Sequence, residues 1–146
     1  MIPKKDLLVL TELRKDSRQR LTEISRQTRI PVSTLFDRVK TYKGGLVTKF
    51  TALLNFALFG FNTRATIILK VNKPSRERIK RFLWHHPRVN SLYKINNGYD
   101  YMIEGLFYNV KELEYFLEEL ETRFDVLRNE VYYIIEDIKR ESFLGG

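Results

Sequence analysis

Ser33, Thr34, Asp37, Arg38 and Thr41 fall on one side of a helical stretch that begins at Val32. Short hydroxyls followed by an arginine suit contact with base edges and phosphates in a DNA groove. Around them stand Arg18, Arg20, Arg26, Arg29, Lys40 and Lys43, cations for a phosphate backbone. Arg38 offers the strongest single base contact, because a guanidinium can pair with guanine through two bonds. The same residue can instead form an ion pair with Asp37 or Asp6. A second constellation is the turn Asn97-Gly98-Tyr99-Asp100-Tyr101, with Glu104 just beyond it. Backbone N–H groups of a turn can hold a carboxylate, while Asp100 or Glu104 can hold an ammonium. The simpler reading makes Asn97-Gly98 a hairpin turn and Glu104 a salt-bridge partner of Lys70. His85-His86 has no third histidine or spaced carboxylate, so no metal site is expected, and a cation at a helix end before Pro87 fits instead. No phosphate-binding glycine loop or activated nucleophile pattern is found. No catalytic residue, metal or cofactor is therefore assigned.

The elements that must position these residues follow from local pattern. Leu7, Leu10 and Leu13 form one stripe of a helix over Lys4–Arg14, closed by Asp16-Ser17. Leu21 and Ile24 mark the inner face of a short helix, Leu21–Gln27, with Glu23 and Arg26 outward. Pro31 removes a donor and restrains Ile30 to extended geometry, which breaks the pattern. Leu35, Val39 and Tyr42 then line the inside of a helix from Val32 to Lys43, stopped by Gly44-Gly45. These three helices make a helix-turn-helix domain. Leu46–Leu54 reads as a strand or wing and Asn55–Asn62 as a connector, with the boundary near Gly60. The expected division is 1–50, a DNA-binding domain; 51–62, a strand or linker; and 63–146, a second domain for dimerisation and effector binding.

Charge separates the two parts. Residues 1–50 hold 12 Lys/Arg against 5 Asp/Glu, whereas residues 51–146 hold 14 against 13. Nearly all of the +8 net charge thus sits with the helix-turn-helix segment. A one-sided basic field attracts a polyanion and supplies sequence-independent affinity for nucleic acid. A hydrophobic fraction of 43% can fill a core, which excludes general disorder. Nothing in the pattern spans a membrane or directs export. With no cysteine there is no disulfide framework, which fits a cytoplasmic protein.

The second part reads as a ferredoxin-like βαββαβ unit. Strands are expected over Arg64–Val71, Val89–Ile95, Tyr101–Tyr108 and Glu130–Asp137. Helices are expected over Arg76–Trp84, capped by Ser75, and over Val110–Phe124, whose acidic face runs from Glu112 to Glu121. Asn96-Asn97-Gly98 marks a hairpin because that turn needs positive φ. Helices on one sheet face call for strands that alternate apolar with polar. Ile68, Met102, Leu106, Tyr132 and Ile134 break that alternation. The uncovered face is expected to meet a second copy of the chain in a two-fold dimer. Its recognition helices would then read half-sites about 34 Å apart in a pseudo-palindromic operator.

This order of parts resembles the Lrp/AsnC family of transcription regulators over nearly the whole chain. The resemblance rests on LRKDSR at Leu13–Arg18, STLFDRVKTYKGGLV from Ser33, TALLN at Thr51–Asn55, GYDY at Gly98–Tyr101 and IIEDIKRE at Ile134–Glu141. It implies sequence-specific binding of double-stranded DNA, assembly as a homodimer or as a tetramer or octamer, and an amino-acid effector held between C-terminal domains. For the effector it points to the turn at Asn97–Tyr101. The family commonly has glycine where this chain has Arg29, so a left-handed arginine is expected there, with its side chain free to touch phosphate. Pro31-Val32 replaces the usual serine-proline at the start of the recognition helix. Some proteins that resemble the family are siroheme decarboxylases, and His85-His86 keeps that alternative, like an architectural DNA-binding role, beside the regulator.

Overall fold

A computed structural model describes all 146 residues. The chain forms two compact units, Met1–Leu53 with Ile138–Gly146, and Leu54–Asp137.

The first unit is built from α1 (Lys4–Lys15), α2 (Leu21–Thr28) and α3 (Val32–Tyr42). Val9, Ile24, Leu35 and Tyr42 meet in its core, with Leu13, Leu21 and Val39 packed at the edge. Each such side chain withdrawn from water contributes ~1.5–3 kcal/mol, enough in sum to hold three short helices together. Arg29 ends α2 in the left-handed conformation, φ 59° and ψ 30°, as the glycine-free turn requires. Its N–H donates to the Ser25 carbonyl, and the Ser25 hydroxyl donates to the carbonyl of Ile30. Gly44, at φ 81°, turns the chain after α3.

Two expectations fail here. Leu46–Leu54 is neither strand nor wing. A single bridge joins Lys43 and Val47, and an all-helical unit offers no further backbone to complete a ladder. The C-terminal residues do not stay with the second unit either. Arg14 donates to the carbonyls of Glu141 and Phe143, both at 2.8 Å, and Leu144 packs against the helical core. The boundary consequently falls after Leu53 rather than near Gly60, and the tail returns to the first unit.

The second unit contains β1 (Thr63–Val71), α4 (Arg76–His85), β2 (Val89–Lys94), β3 (Tyr101–Phe107), α5 (Val110–Arg123) and β4 (Val126–Tyr133). The antiparallel sheet has the order β2-β3-β1-β4, that of a ferredoxin-like fold. Ala65, Ile67, Leu69 and Val71 of β1 point to one face, where Ile79 and Leu83 of α4 and Leu113, Phe116 and Leu120 of α5 cover them. Asn109 caps α5 by accepting from the Glu112 N–H, 2.8 Å. Ser75 makes no such bond. It sits in helical geometry at the end of a 3₁₀ turn, Lys73–Ser75, so the expected cap is absent. β4 begins at Val126, four residues before the expected start at Glu130. Asn72 N–H donates to Asp125 O and sets where pairing with β1 begins. The last bond, Ile134 N–H to Arg64 O, exhausts β1, and Ile135 beyond it is exposed.

On the other sheet face, register aligns Tyr93, Met102, Ile68 and Glu130 in one row and Glu104, Thr66 and Tyr132 in the next. The face is therefore mixed rather than uniformly apolar. Tyr99 and Tyr132 both donate to the Glu130 carboxylate, at 2.8 and 2.7 Å.

Candidate nucleic-acid interface and ligand cleft

α3 divides cleanly between packing and solvent. Leu35 and Tyr42 are buried, while Val32, Ser33, Phe36, Asp37, Lys40 and Thr41 are exposed and Thr34 is half-buried. The hydroxyl of Thr41 is used within the helix, donating to the Arg38 carbonyl at 2.7 Å. Arg18, Arg20, Arg26, Arg29, Lys40 and Lys43 make no side-chain ion pair, so their charge is available to an anion.

Arg38 is the exception. Its Nη1 pairs with Asp6 of α1, the same carboxylate oxygen that accepts from the Tyr42 hydroxyl at 2.6 Å. The buried Nε has no partner. The Tyr42 hydrogen bond, followed by Arg38, holds the Asp6 carboxyl below the usual carboxylate range, and burial followed by Asp6 pushes the Tyr42 phenol up. Of the two roles open to Arg38, the structure shows the ion pair, which ties α3 to α1 across the domain. The guanidinium assigned to guanine is thus engaged inside the protein.

The residues expected around an effector diverge. Asp100 and Tyr101 face a cleft of about 370 Å³ bounded by Arg76, Glu77, Lys80 and Trp84 of α4 and by Leu92 and Lys94 of β2. Asp100 accepts from Arg76 Nε at 2.9 Å and from the Val71 N–H at 2.8 Å, so its charge is already matched. Tyr101 donates to the Arg76 carbonyl at 3.2 Å. Tyr99 turns away to Glu130, with Arg128 stacked over its ring. Asn97 and Gly98, at φ 60° and 80°, form the exposed hairpin tip. Glu104 lies on the open sheet face between Asn90 and Arg64, not Lys70. Sequence reading missed Arg76, Lys80, Trp84 and Lys94. Their helical and strand spacings carried no signal until α4 and β2 came together.

His86 is not a helix-end cation. Its ring packs between Phe82 and Phe116, Nδ1 accepts from the Arg88 N–H, and burial holds the imidazole below its ordinary pKa. Neither histidine lines the cleft.

A basic helix-turn-helix unit followed by a ferredoxin-like unit with a ligand-sized cleft defines a two-part DNA-binding regulator. Residues 64–143 match the family model of the Lrp/AsnC ligand-binding domain. The chain belongs to the Lrp/AsnC family. It is similar to the HTH-type transcriptional regulator FL11 of Pyrococcus furiosus, 31% identical over 77% of this chain and 76% of that protein. An HTH-type transcriptional regulator of Pyrococcus horikoshii is 26% identical over 93% of both chains. Among solved structures, a Neisseria meningitidis transcriptional regulator in complex with L-Met superposes with a TM-score of 0.87 at 21% identity, covering 96% of this chain and 94% of that one. Escherichia coli AsnC gives 0.86 at 16% identity over 99% of each.

Proposed function

We propose that this protein is a dimeric transcription regulator that binds double-stranded DNA through α3 and responds to a small effector in the cleft beneath α4. One observation carries the reading: the charge excess of the chain is concentrated on the unit whose second and third helices form the helix-turn-helix, and six of its cations are unpaired. Such a unit binds DNA with a steep salt dependence, since each phosphate neutralised releases counterion. Ser33, Thr34, Asp37 and Thr41 then face base edges, and Arg18, Arg20, Arg26, Arg29, Lys40 and Lys43 hold the backbone. Arg38 acts as a positioning residue through Asp6.

The uncovered sheet face supports self-association, because Tyr93, Met102, Ile68 and Tyr132 leave an apolar strip that a second copy can bury. The L-methionine held by the Neisseria protein supports an amino acid as effector class here. In this cleft Arg76, Lys80 and Lys94 would meet a carboxylate, and Trp84 and Leu92 an apolar side chain. Asn97, Gly98 and Tyr99 would act by shaping the hairpin rather than by lining the site.

The testing experiment is a gel shift on the DNA upstream of the protein's own gene across a salt series, with thermal shifts against a panel of amino acids. Tight binding that weakens steeply with salt is expected, with a stabilised second unit for at least one amino acid. Absence of binding at low salt overturns the DNA reading, and flat thermal shifts remove the amino-acid effector. A Soret band in the purified protein would instead favour the siroheme decarboxylase alternative.

A further inference from the structure

Beside the polar face of α3, on the side away from Thr34 and Thr41, stand two large apolar side chains that the core does not use. Val32 is 40% exposed and Phe36 is 58% exposed, and neither belongs to the cluster around Ile24 and Leu35. They stand at i and i+4, so both lie on one stripe, with Lys40 continuing it. A phenylalanine left in water on a short helix forgoes the stabilisation that burial would bring. We propose that Phe36, with Val32 one turn before it, reads thymine C5-methyl groups along one side of the major groove, beside Ser33 and away from Thr34 and Thr41. This rests on the DNA-binding reading of α3 and specifies what that helix recognises.

The occupant is chosen by charge and by shape. Unpaired cations flank the stripe, Arg26 and Arg29 before it and Lys40 and Lys43 after it. A groove presents that combination in reverse, with phosphates on both rims and apolar methyls between them. Direct guanine reading is correspondingly reduced, because the one arginine on α3 is held by Asp6 and Tyr42. Four residues of helix advance about 6 Å, close to two base-pair rises of about 3.4 Å. The two side chains therefore address thymines about two steps apart in each half-site.

The test begins with duplexes selected from a random pool by the full-length wild-type protein. Each thymine of a selected duplex is replaced in turn by deoxyuridine, which deletes only the methyl group. Affinities are measured for wild type, Phe36→Ala and Val32→Ala. With wild type, deoxyuridine at one position is expected to weaken binding about fourfold, the equivalent of ~0.8 kcal/mol per buried methyl-sized group. Phe36→Ala should abolish the sensitivity at that position, and Val32→Ala should do so at a second position about two steps away. Salt dependence should stay unchanged in both, since neither side chain meets phosphate. If wild type tolerates every deoxyuridine, or if the sensitivity persists in Phe36→Ala, the methyl reading is overturned while the DNA-binding reading stands. If wild type retains no duplex even at low salt, both fall together.

Discussion

Replacing Arg29 separates a backbone effect from an electrostatic one at a single position. The residue adopts φ 59° and ψ 30°, where a side chain crowds the following carbonyl at a cost of ~1–2 kcal/mol. Arg29→Gly removes that cost but returns flexibility to the unfolded chain, offsetting ~0.4–1 kcal/mol. The net gain is ~0.5–1 kcal/mol, which for a unit of this size raises the melting temperature by about 2–8 °C. Arg29→Ala keeps the strained dihedral and brings no such gain. For DNA the two variants should agree. Each removes one exposed cation, so the slope of log affinity against log salt should fall by about 0.9. Calorimetric melting of the first unit and anisotropy titrations at several salt concentrations measure both quantities. Equal melting of the glycine and alanine variants would refute the strain argument. An unchanged salt slope would refute the phosphate contact.

Gly105 sits on β3, where an added Cβ would lie 2.5 Å from Cε2 of the fully buried Phe107. Gly105→Ala should therefore destabilise the second unit by about 1–3 kcal/mol, read from urea midpoints. The depressed pKa of His86 gives a pH dependence of definite sign. Below its ordinary value of 6.5 the unfolded chain takes up a proton before the folded one does, so stability is complete above that pH and is lost progressively as pH falls. Urea titrations from about pH 7.5 to 5 should show this loss, and His86→Gln should flatten it. Truncation after Asp137 removes the tail that Arg14 and Leu144 anchor, and should cost the first unit ~1–2 kcal/mol. Hydrogen exchange should then rise in α1 and α3 while the amides of β1 and β3 keep their protection.

The sequence by itself determined the features that depend on neighbours a few residues apart. Helix stripes such as Leu35-Val39-Tyr42 repeat at the helical period, so their burial follows from spacing alone. The left-handed Arg29 is expected only because the family that the chain resembles commonly has glycine there, whereas the turn at Asn97-Gly98 follows from local residue types that tolerate positive φ. Four strands and two helices in the order of a ferredoxin-like unit were legible for the same reason, although β4 was misplaced. Its start is set by the bond from Asn72 to Asp125, a contact that no period encodes. Tertiary structure alone decided the partner of Arg38, because Asp6 lies on a different helix and Asp37 beside it offered an equally plausible charge. It alone showed that Phe36 faces solvent, that the C-terminal tail returns to the first unit, and that the residues expected around an effector point in different directions. Side chains adjacent in a turn can diverge to opposite faces of a sheet, whereas Arg76 and Lys94, distant in sequence, come to border one cleft. Local periodicity determines which way a residue faces within its element, and only the packing of elements determines what it meets there.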